Sequence, residues 1–341
     1  MDQTSTKEST LEHSTAVFRK IAFAVAAGVL AATTLAGCTS NTAEAGTSTD
    51  AAGVSIQFVN PLPNYPAWRT IGDCLADEAK AQGVDFTESG PTGSAMDPTT
   101  MIKQIQGAIA NKKSAILTLP ASDAFGALLK QAQEAGITTV TFYGDGTEES
   151  GADINVGVDW TELGKLYVDA IATLPGEKNV GLITSADTGI GKSWMDGVKA
   201  AAEDADDISI VGEVYTGDDS SKALAQANAL LTAHPEVNVI TTNMGTATAG
   251  TLSALAAKDL TGEVAFLGNG PDNGGKEALF DGSEYRLLMQ DLCSAATKAL
   301  DATIEALENG DEPGGEPVMI PMGFIMASTD DYEDLLANNW G

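Results

Sequence analysis

Histidine and cysteine are scarce in this sequence of 341 residues, which has two histidines and three cysteines. His234 precedes Pro235 at the end of a predicted helix, where a histidine is typical of a helix C-terminus. Transition-metal sites and Ser-His catalytic triads need imidazole or thiolate groups placed together. The sequence therefore predicts no metal site, no cofactor and no catalytic residue, and we expect a binding protein and not an enzyme.

Basic residues are also few, with 18 Lys and Arg against 48 Asp and Glu and a net charge of −30 at pH 7. The acidic residues are scattered along the chain, which is typical of a well-solvated exterior. A surface of this charge repels the phosphates of nucleic acids. We therefore expect no nucleic-acid partner, and the charge also argues against a strongly anionic ligand.

The apolar run at residues 21–35 is shorter than the roughly 20 residues that a transmembrane helix needs. It follows a polar start and ends in Leu35-Ala36-Gly37-Cys38, the order of a secretory signal with its cleavage site. The tetrad resembles the bacterial lipobox, so residues 1–37 are predicted to be a signal peptide and Cys38 a lipidated anchor to the outer side of the cell membrane. The alternatives are a retained membrane span and an ordinary signal peptide with a cysteine near its cut.

Residues 38–53 are almost all small or polar and predict a flexible tether after the lipid anchor. The remaining chain of about 290 residues exceeds the usual size of one hydrophobic core, which favours two domains.

From residue 54 onward, short apolar runs alternate with helical patterns, which is typical of parallel βαβ units. The pattern restarts at residue 154, so two consecutive α/β sheets are predicted. The predicted strands are 54–59, 115–119, 137–142, 154–158, 180–184, 208–214, 237–242, 264–267 and 285–289, with a final extended stretch at 318–326. The predicted helices include 66–82, one capped by Asp97 before Pro98, 125–135, 162–174, 222–232, 246–257 and 295–307.

Aromatic and neutral polar residues follow several of the predicted strands, and ligands of open α/β sheets bind outside the carboxyl ends of strands. Aromatic planes can cover the apolar faces of a sugar ring, and Asn, Gln and Asp can bind its hydroxyls. Each residue alone is more typical of a loop or a cap, but their recurrence favours a binding site. The residues in these positions are Asn60, Asn64, Tyr65, Trp68, Tyr143, Asp145, Asn243, Asn269, Asp272 and Gln290.

Four segments carry a resemblance to a known family, and they lie at residues 131–137, 155–159, 230–235 and 289–291. They resemble the type 1 periplasmic binding proteins of the ribose, rhamnose and autoinducer-2 group, which serve ABC importers. The resemblance covers nearly the whole chain after residue 54. It implies an α/β fold of two Rossmann-like lobes with parallel sheets, joined by a three-strand hinge. The lobes are expected at 54–146 plus 291–321 and at 147–290 plus 322–341.

The resemblance also assigns roles by position. It implies that Trp68 covers a sugar ring, with Asn64 and Tyr65 in the same loop. We further expect this tryptophan to contribute to a pocket and not to a lobe's core. Lys192 lies near the family's ligand-binding arginine. Asn243 matches a ligand-binding asparagine, and Gln290 matches the hinge glutamine. Together with Tyr143, Asp145 and Asn269, these residues are the predicted ligand-binding set.

Departures from the family's ribose binders narrow the predicted ligand. Tyr143-Gly144, Met244 and Gly268-Asn269-Gly270 replace residues that include the charged groups that clamp ribose. The resemblance therefore implies a small neutral sugar or polyol other than ribose, carried by a monomer to an ABC permease and its ATPase. The alternative is a receptor for a furanosyl signalling molecule such as autoinducer-2, or for another small metabolite, that serves a signalling partner. A transcriptional regulator of related fold would need a helix-turn-helix where the lipobox lies.

Cys74 and Cys293 are the two cysteines left when Cys38 carries lipid. An exported protein meets an oxidising environment, where such residues can pair. Their separation in sequence leaves both a disulfide and two buried thiols open.

Overall fold

The computed structural model describes residues 53–93, 96–122, 124–144, 151–217 and 219–341. The predicted signal peptide, Cys38, the tether up to residue 52 and the predicted ligand contact Asp145 lie outside the described residues. Among the helices of these described ranges, none has both the length and the apolar character that a membrane span requires.

The described residues fold into strands and helices that mostly alternate, and the elements predicted from the sequence occur in the predicted order. The strands are β1 Ser55–Val59, β2 Asp85–Ser89, β3 Ala115–Thr118, β4 Thr138–Gly144, β5 Ile154–Gly157, β6 Lys178–Thr184, β7 Ile208–Tyr215, β8 Val239–Thr242, β9 Ala265–Asn269, β10 Arg286–Gln290, β11 Val318–Pro321 and β12 Phe324–Ala327. The helices are α1 Pro66–Ala81, α2 Pro98–Ala110, α3 Ala124–Glu134, α4 Trp160–Ala172, α5 Gly189–Ala202, α6 Ser220–Ala233, α7 Gly245–Ala257, α8 Gly275–Asp281, α9 Leu292–Asn309 and α10 Tyr332–Ala337.

Within the described residues, the strands form two sheets of six with the same internal order. The first sheet runs β11-β5-β4-β3-β1-β2 and the second β12-β10-β9-β8-β6-β7. All neighbours are parallel except β12, which runs antiparallel to β10. Two mostly parallel sheets with flanking helices confirm the predicted fold class of two Rossmann-like lobes.

Helices cover both faces of each sheet, as a parallel sheet requires. In the first lobe, α1 and α9 pack on one face and α2 and α3 on the other. In the second lobe, α4 and α5 pack on one face and α6 and α7 on the other. The Sγ atoms of Cys74 and Cys293 lie 2.08 Å apart, so a disulfide joins α1 to α9.

The chain crosses between the lobes three times within its described part. The crossings follow β5, β10 and β11. Backbone hydrogen bonds tie the three together: Met322 N–H donates to Gly157 O at 3.0 Å, and Asp291 N–H donates to Gly323 O at 2.9 Å. The hinge is therefore a bonded unit of three adjacent segments.

One boundary between the lobes differs from the sequence analysis, which placed residues from 147 onward in the second lobe. Strand β5 pairs in parallel with β4 and with β11, so it belongs to the first sheet. The first crossing therefore comes after Gly157. An alternation of strands and helices gives their order along the chain, but it does not say which sheet a strand joins.

Four elements were not predicted: β2, α5, α8 and α10. Strand β2 is an edge strand whose sequence Asp-Phe-Thr-Glu-Ser has one large apolar side chain, so it lacks the signal of a buried strand. Helix α5 begins with Gly189-Ile190-Gly191, which favours a loop when read alone. The short helices α8 and α10 span seven and six residues, too few for a clear periodicity.

Candidate functional site

Uncharged side chains at the carboxyl edge of the second sheet form a continuous row of hydrogen bonds. Thr184 Oγ1 at the end of β6 donates to Asn243 Oδ1 at 2.9 Å. Asn269 Nδ2 at the end of β9 donates to the backbone oxygen of Asn243. Gln290 Nε2 at the end of β10 donates to Asn269 Oδ1 at 3.2 Å. We call Thr184, Asn243, Asn269 and Gln290 the amide row, and its order follows the order of the strands.

Tyr143 extends this row to the first lobe, because its hydroxyl donates to Gln290 Oε1 at 2.8 Å. It lies in β4, where the register with β5 shifts between Phe142 and Gly144. Its φ of 58° is uncommon for a residue with a side chain. A bulge of this kind redirects a side chain out of the regular alternation. Tyr143 therefore lies at the irregular point of β4, and its hydroxyl reaches Gln290 at the hinge.

Burial raises the pKa of the Tyr143 hydroxyl well above its usual value, with a smaller contribution from Tyr65. The phenol therefore keeps its proton and remains a hydrogen-bond donor to Gln290 at neutral pH.

Trp68 packs behind Tyr143, with ring centroids 5.4 Å apart in an edge-on arrangement. It also contacts Phe58 and Phe142 at centroid distances of 6.4 Å. The side chain is 8% exposed and belongs to the core of the first lobe. The expectation that Trp68 serves a pocket without contributing to a core is therefore wrong. A tryptophan after a strand gives the same sequence signal whether its ring faces a pocket or supports a neighbour.

Asn60 is fully buried and acts within the first lobe. Its Nδ2 donates to the backbone oxygen of Trp68 at 3.0 Å and to Glu88 Oε1 at 2.9 Å. Arg69 binds both carboxylate oxygens of Glu88, at 3.0 Å through Nη1 and 2.6 Å through Nη2. This network ties the first turn of α1 to the end of β2, so Asn60 positions Trp68 and is not presented to a ligand.

Tyr65 is the N-cap residue of α1 and reaches from the first lobe to the start of α7 in the second. Its hydroxyl oxygen lies 2.3 Å from the point where a Cβ at Gly245 would be. The predicted residues Tyr65, Tyr143, Asn243, Asn269 and Gln290 are thus all placed at the facing edges of the two lobes.

Two predicted residues are not joined to the amide row. Asn64 is exposed, and its Nδ2 donates to Thr92 O at 3.4 Å. Lys192 is exposed on α5 and forms an ion pair with Asp196 one turn further on. An i,i+4 pair on a helix surface is a common solvated arrangement, and the ligand-binding role implied for Lys192 stays a prediction.

Some residues outside the predicted set lie in or beside the amide row. Thr184 is a member of the row, and its signal in the sequence was its position as the last residue of a strand. The Tyr167 hydroxyl donates to Thr242 O at 2.9 Å, directly before Asn243. Glu284 is 2% exposed beside Gly268 in β9, and burial raises its pKa well above that of an ordinary glutamate. Glu284 lies before the start of β10, so the rule that sites follow the carboxyl ends of strands gave no signal for it.

No group of three His, Cys, Asp or Glu side chains is placed to hold a metal ion in the part of the chain that the structure describes. The facing edges therefore offer hydrogen bonds from neutral amides and hydroxyls, together with the aromatic rings of Tyr65 and Tyr143.

Two lobes, a three-segment hinge and a polar row at the facing edges define the class of binding proteins that enclose a ligand between lobes. A family model described as periplasmic binding protein domain matches residues 56–312. The chain belongs to this family, which confirms the resemblance found in the sequence. The prediction that it is a binding protein and not an enzyme is thereby confirmed as well.

Several known proteins are similar to this chain at low sequence identity. It is 21% identical to the D-xylose-binding periplasmic protein of Escherichia coli over 267 residues, which cover 74% of this chain and 77% of that protein. The structure of a glucose-galactose binding protein from Geobacillus stearothermophilus matches with a TM-score of 0.74 and 20% identity, over 82% of this chain and 98% of that one. A periplasmic ribose ABC transporter structure from Conexibacter woesei matches with a TM-score of 0.72 and 22% identity, over 83% and 94%.

Proposed function

We propose that this protein is the extracytoplasmic receptor of an ABC importer, and that it captures a small neutral sugar or polyol between its lobes and delivers it to the permease. The observation that carries the proposal is the amide row with Tyr143. This row spans both lobes, lies at the carboxyl ends of the strands and consists of uncharged side chains.

The chemistry of the row suits a polyhydroxylated ligand. A primary amide has two N–H donors and an oxygen with two lone pairs, which is more than the row uses for any one residue. Each hydroxyl of a sugar donates one hydrogen bond and accepts others, so alternating donors and acceptors match it. A charged ligand would lose its hydration without gaining an opposite charge from these side chains.

The ligands in the names of the relatives agree with this chemistry. D-Xylose, glucose, galactose and ribose are neutral monosaccharides. The departures at Tyr143-Gly144, Met244 and Asn269 favour a neutral compound other than ribose for this chain.

Capture follows from the two-lobe design. A ligand that contacts Tyr143 in one lobe and the amide row in the other binds the closed state better than the open state. Differential affinity of this kind shifts the population toward closure. The permease then recognises the closed, ligand-bound receptor.

The test is a thermal-shift screen of the purified full chain with D-xylose, D-arabinose, D-glucose, D-galactose, ribose, rhamnose, xylitol and sorbitol. A ligand that binds only the folded state raises the melting temperature, by mass action, as its concentration exceeds Kd. We expect one or two of these compounds other than ribose to raise it, and buffer alone and glutamate to leave it unchanged. A response to glutamate, or to none of the neutral compounds, would contradict the proposed ligand class.

Lipid attachment at Cys38 belongs to the same proposal and rests on the tetrad that precedes the tether. Cells that express the wild type in the presence of radiolabelled palmitate should label the protein and retain it in the membrane fraction. Cys38→Ala should abolish labelling and release the protein from the membrane, whereas Cys74→Ser should do neither. Equal labelling of wild type and Cys38→Ala would contradict the anchor.

A further inference from the structure

Tyr65 and Gly245 meet across the facing edges of the two lobes. Tyr65 is the N-cap residue of α1 in the first lobe, and Gly245 is the first residue of α7 in the second. The contact joins two elements that are separated by 180 positions in sequence and that share no core. It is therefore made only when the lobes come together.

The contact depends on the missing side chain of Gly245. A Cβ built at this position would lie 2.3 Å from the hydroxyl oxygen of Tyr65, 3.1 Å from Asn269 O and 3.6 Å from Tyr65 Cζ. Carbon and oxygen atoms that are not bonded do not approach to 2.3 Å. The closest obstacle to a side chain at position 245 is therefore the hydroxyl of the opposite lobe.

The backbone of Gly245 gives no other reason for a glycine. The residue is helical, and its φ is outside the left-handed region that favours glycine. Glycine is a poor helix former, so its presence in the first turn of α7 has a cost that alanine would avoid. The close approach of Tyr65 explains why a side chain is absent here.

The second lobe holds Gly245 in place. Asn273 Nδ2 donates to Gly245 O at 3.0 Å, and Met244 N–H donates to Thr242 Oγ1 at 3.0 Å. The start of α7 is thus tied to the loop after β9 and to the end of β8. A side chain at position 245 would displace Tyr65, and with it the first lobe, more readily than it would displace α7.

We infer that Tyr65 and Gly245 form a closing contact that sets how near the lobes approach and hence how tightly a ligand is held. Tyr65 is then a positioning residue whose hydroxyl fits the Cβ-free start of α7. The inference deepens the proposed function and rests on it for its affinity readout, but the compactness of the chain is measured both with and without sugar.

Small-angle X-ray scattering of the full chain, with and without D-xylose, D-glucose and ribose, measures the most compact state that each variant reaches. Gly245→Ala should have a larger radius of gyration in that state than the wild type. Tyr65→Phe removes the oxygen at 2.3 Å and leaves Cζ at an ordinary contact distance of 3.6 Å. The double variant Tyr65→Phe/Gly245→Ala should therefore return to the compactness of Tyr65→Phe alone.

Isothermal titration with the same three sugars gives the second readout. For a sugar that binds the wild type, Gly245→Ala should bind at least tenfold more weakly, and the double variant should bind within threefold of Tyr65→Phe. Gly107→Ala is the matched control, because a Cβ at that helical position in α2 meets nothing within 4 Å. It should match the wild type in both measurements.

Two results would overturn the closing contact. The first is a Gly245→Ala variant that becomes as compact as the wild type. The second is a double variant Tyr65→Phe/Gly245→Ala whose radius of gyration stays as large as that of Gly245→Ala. That result would place the steric conflict at Asn269 O, within the second lobe. If none of the three sugars binds the wild type, that result counts against the proposed function, while the scattering comparison still decides the closing contact.

Discussion

Trp68 connects the core of the first lobe to Tyr143, so one side chain contributes to the core and contacts a residue of the proposed binding site. Its ring contacts Phe58, Phe142 and Tyr143, and its backbone oxygen accepts a hydrogen bond from the buried Asn60. Replacing Trp68 therefore affects both the core and the contact with Tyr143. The tryptophan therefore holds Tyr143, and through it Gln290, in the orientation that the amide row requires.

Trp68→Ala should lower the free energy of unfolding by about 3–5 kcal/mol, because it leaves a cavity in a buried core. Urea denaturation followed by circular dichroism measures this change. Trp68→Phe keeps an aromatic ring against Tyr143 and should lose less than half as much. An unchanged urea midpoint for Trp68→Ala would show that the ring does not support the core.

Glu284 is a second buried residue with a measurable consequence. Because burial raises its pKa in the folded state, the folded protein binds more protons than the unfolded chain above a pH of about 4.3, the pKa of an unfolded glutamate. The free energy of unfolding should then fall as the pH rises from there toward the folded pKa, by at most about 1.4 kcal/mol per pH unit. This direction is opposite to that of a glutamate in an ion pair.

Glu284→Gln removes the ionisation and keeps the shape of the side chain. It should stabilise the protein at pH 8 relative to the wild type and should flatten the decline in stability between pH 5 and pH 8. Urea midpoints at both pH values give the comparison. The exposed Glu277→Gln on α8 is the control and should keep the decline. A Glu284→Gln variant with the same decline as the wild type would rule out this residue as the source.

At the scale of elements, the disulfide joins the helix that carries Trp68 to the helix that follows the hinge residues Gln290 and Asp291. Cys74 lies in α1 and Cys293 in the first turn of α9, with Cα atoms 5.4 Å apart. The cross-link spans 219 positions of sequence, so it restricts the unfolded chain strongly.

Replacing both cysteines by serine should lower the free energy of unfolding by about 2–5 kcal/mol in non-reducing buffer. Dithiothreitol should bring the wild type to the stability of the double variant and leave the double variant unchanged. Thermal unfolding with and without the reductant makes the comparison. Equal melting temperatures of the wild type in both buffers would contradict a stabilising bond.

The elements also show what the sequence can and cannot predict. The parallel alternation, the Asp97 cap of α2 and the positions of Tyr143, Asn243, Asn269 and Gln290 followed from periodicity, cap chemistry and the rule that sites follow strands. The sheet membership of β5 and the edge strand β2 did not, because both depend on pairing between distant segments. Trp68 shows the same limit, since the direction in which a side chain points depends on its neighbours in space.

At the scale of the whole molecule, residues 340 and 341 contact the hinge. Gly341 and Gln290 exchange backbone hydrogen bonds, with Gln290 N–H donating at 2.8 Å and Gly341 N–H donating at 3.0 Å. The ring of Trp340 lies 3.4 Å from the point where a Cβ at Gly323 would be, in the third crossing. The segment 340–341 therefore contacts two hinge crossings and fixes the backbone of a residue in the amide row.

Removing residues 340–341 should weaken sugar binding by about 1–2 kcal/mol, the net contribution of two backbone hydrogen bonds. The effect comes through Gln290, whose side chain must face Asn269 and Tyr143 at the same time. Isothermal titration with a sugar that binds the wild type measures the loss, and the midpoint of thermal unfolding shows whether the lobes keep their cores. Leu336→Ala, on the exposed part of α10, is the control and should bind as the wild type does. Unchanged affinity after the truncation would mean that the hinge holds Gln290 without this segment.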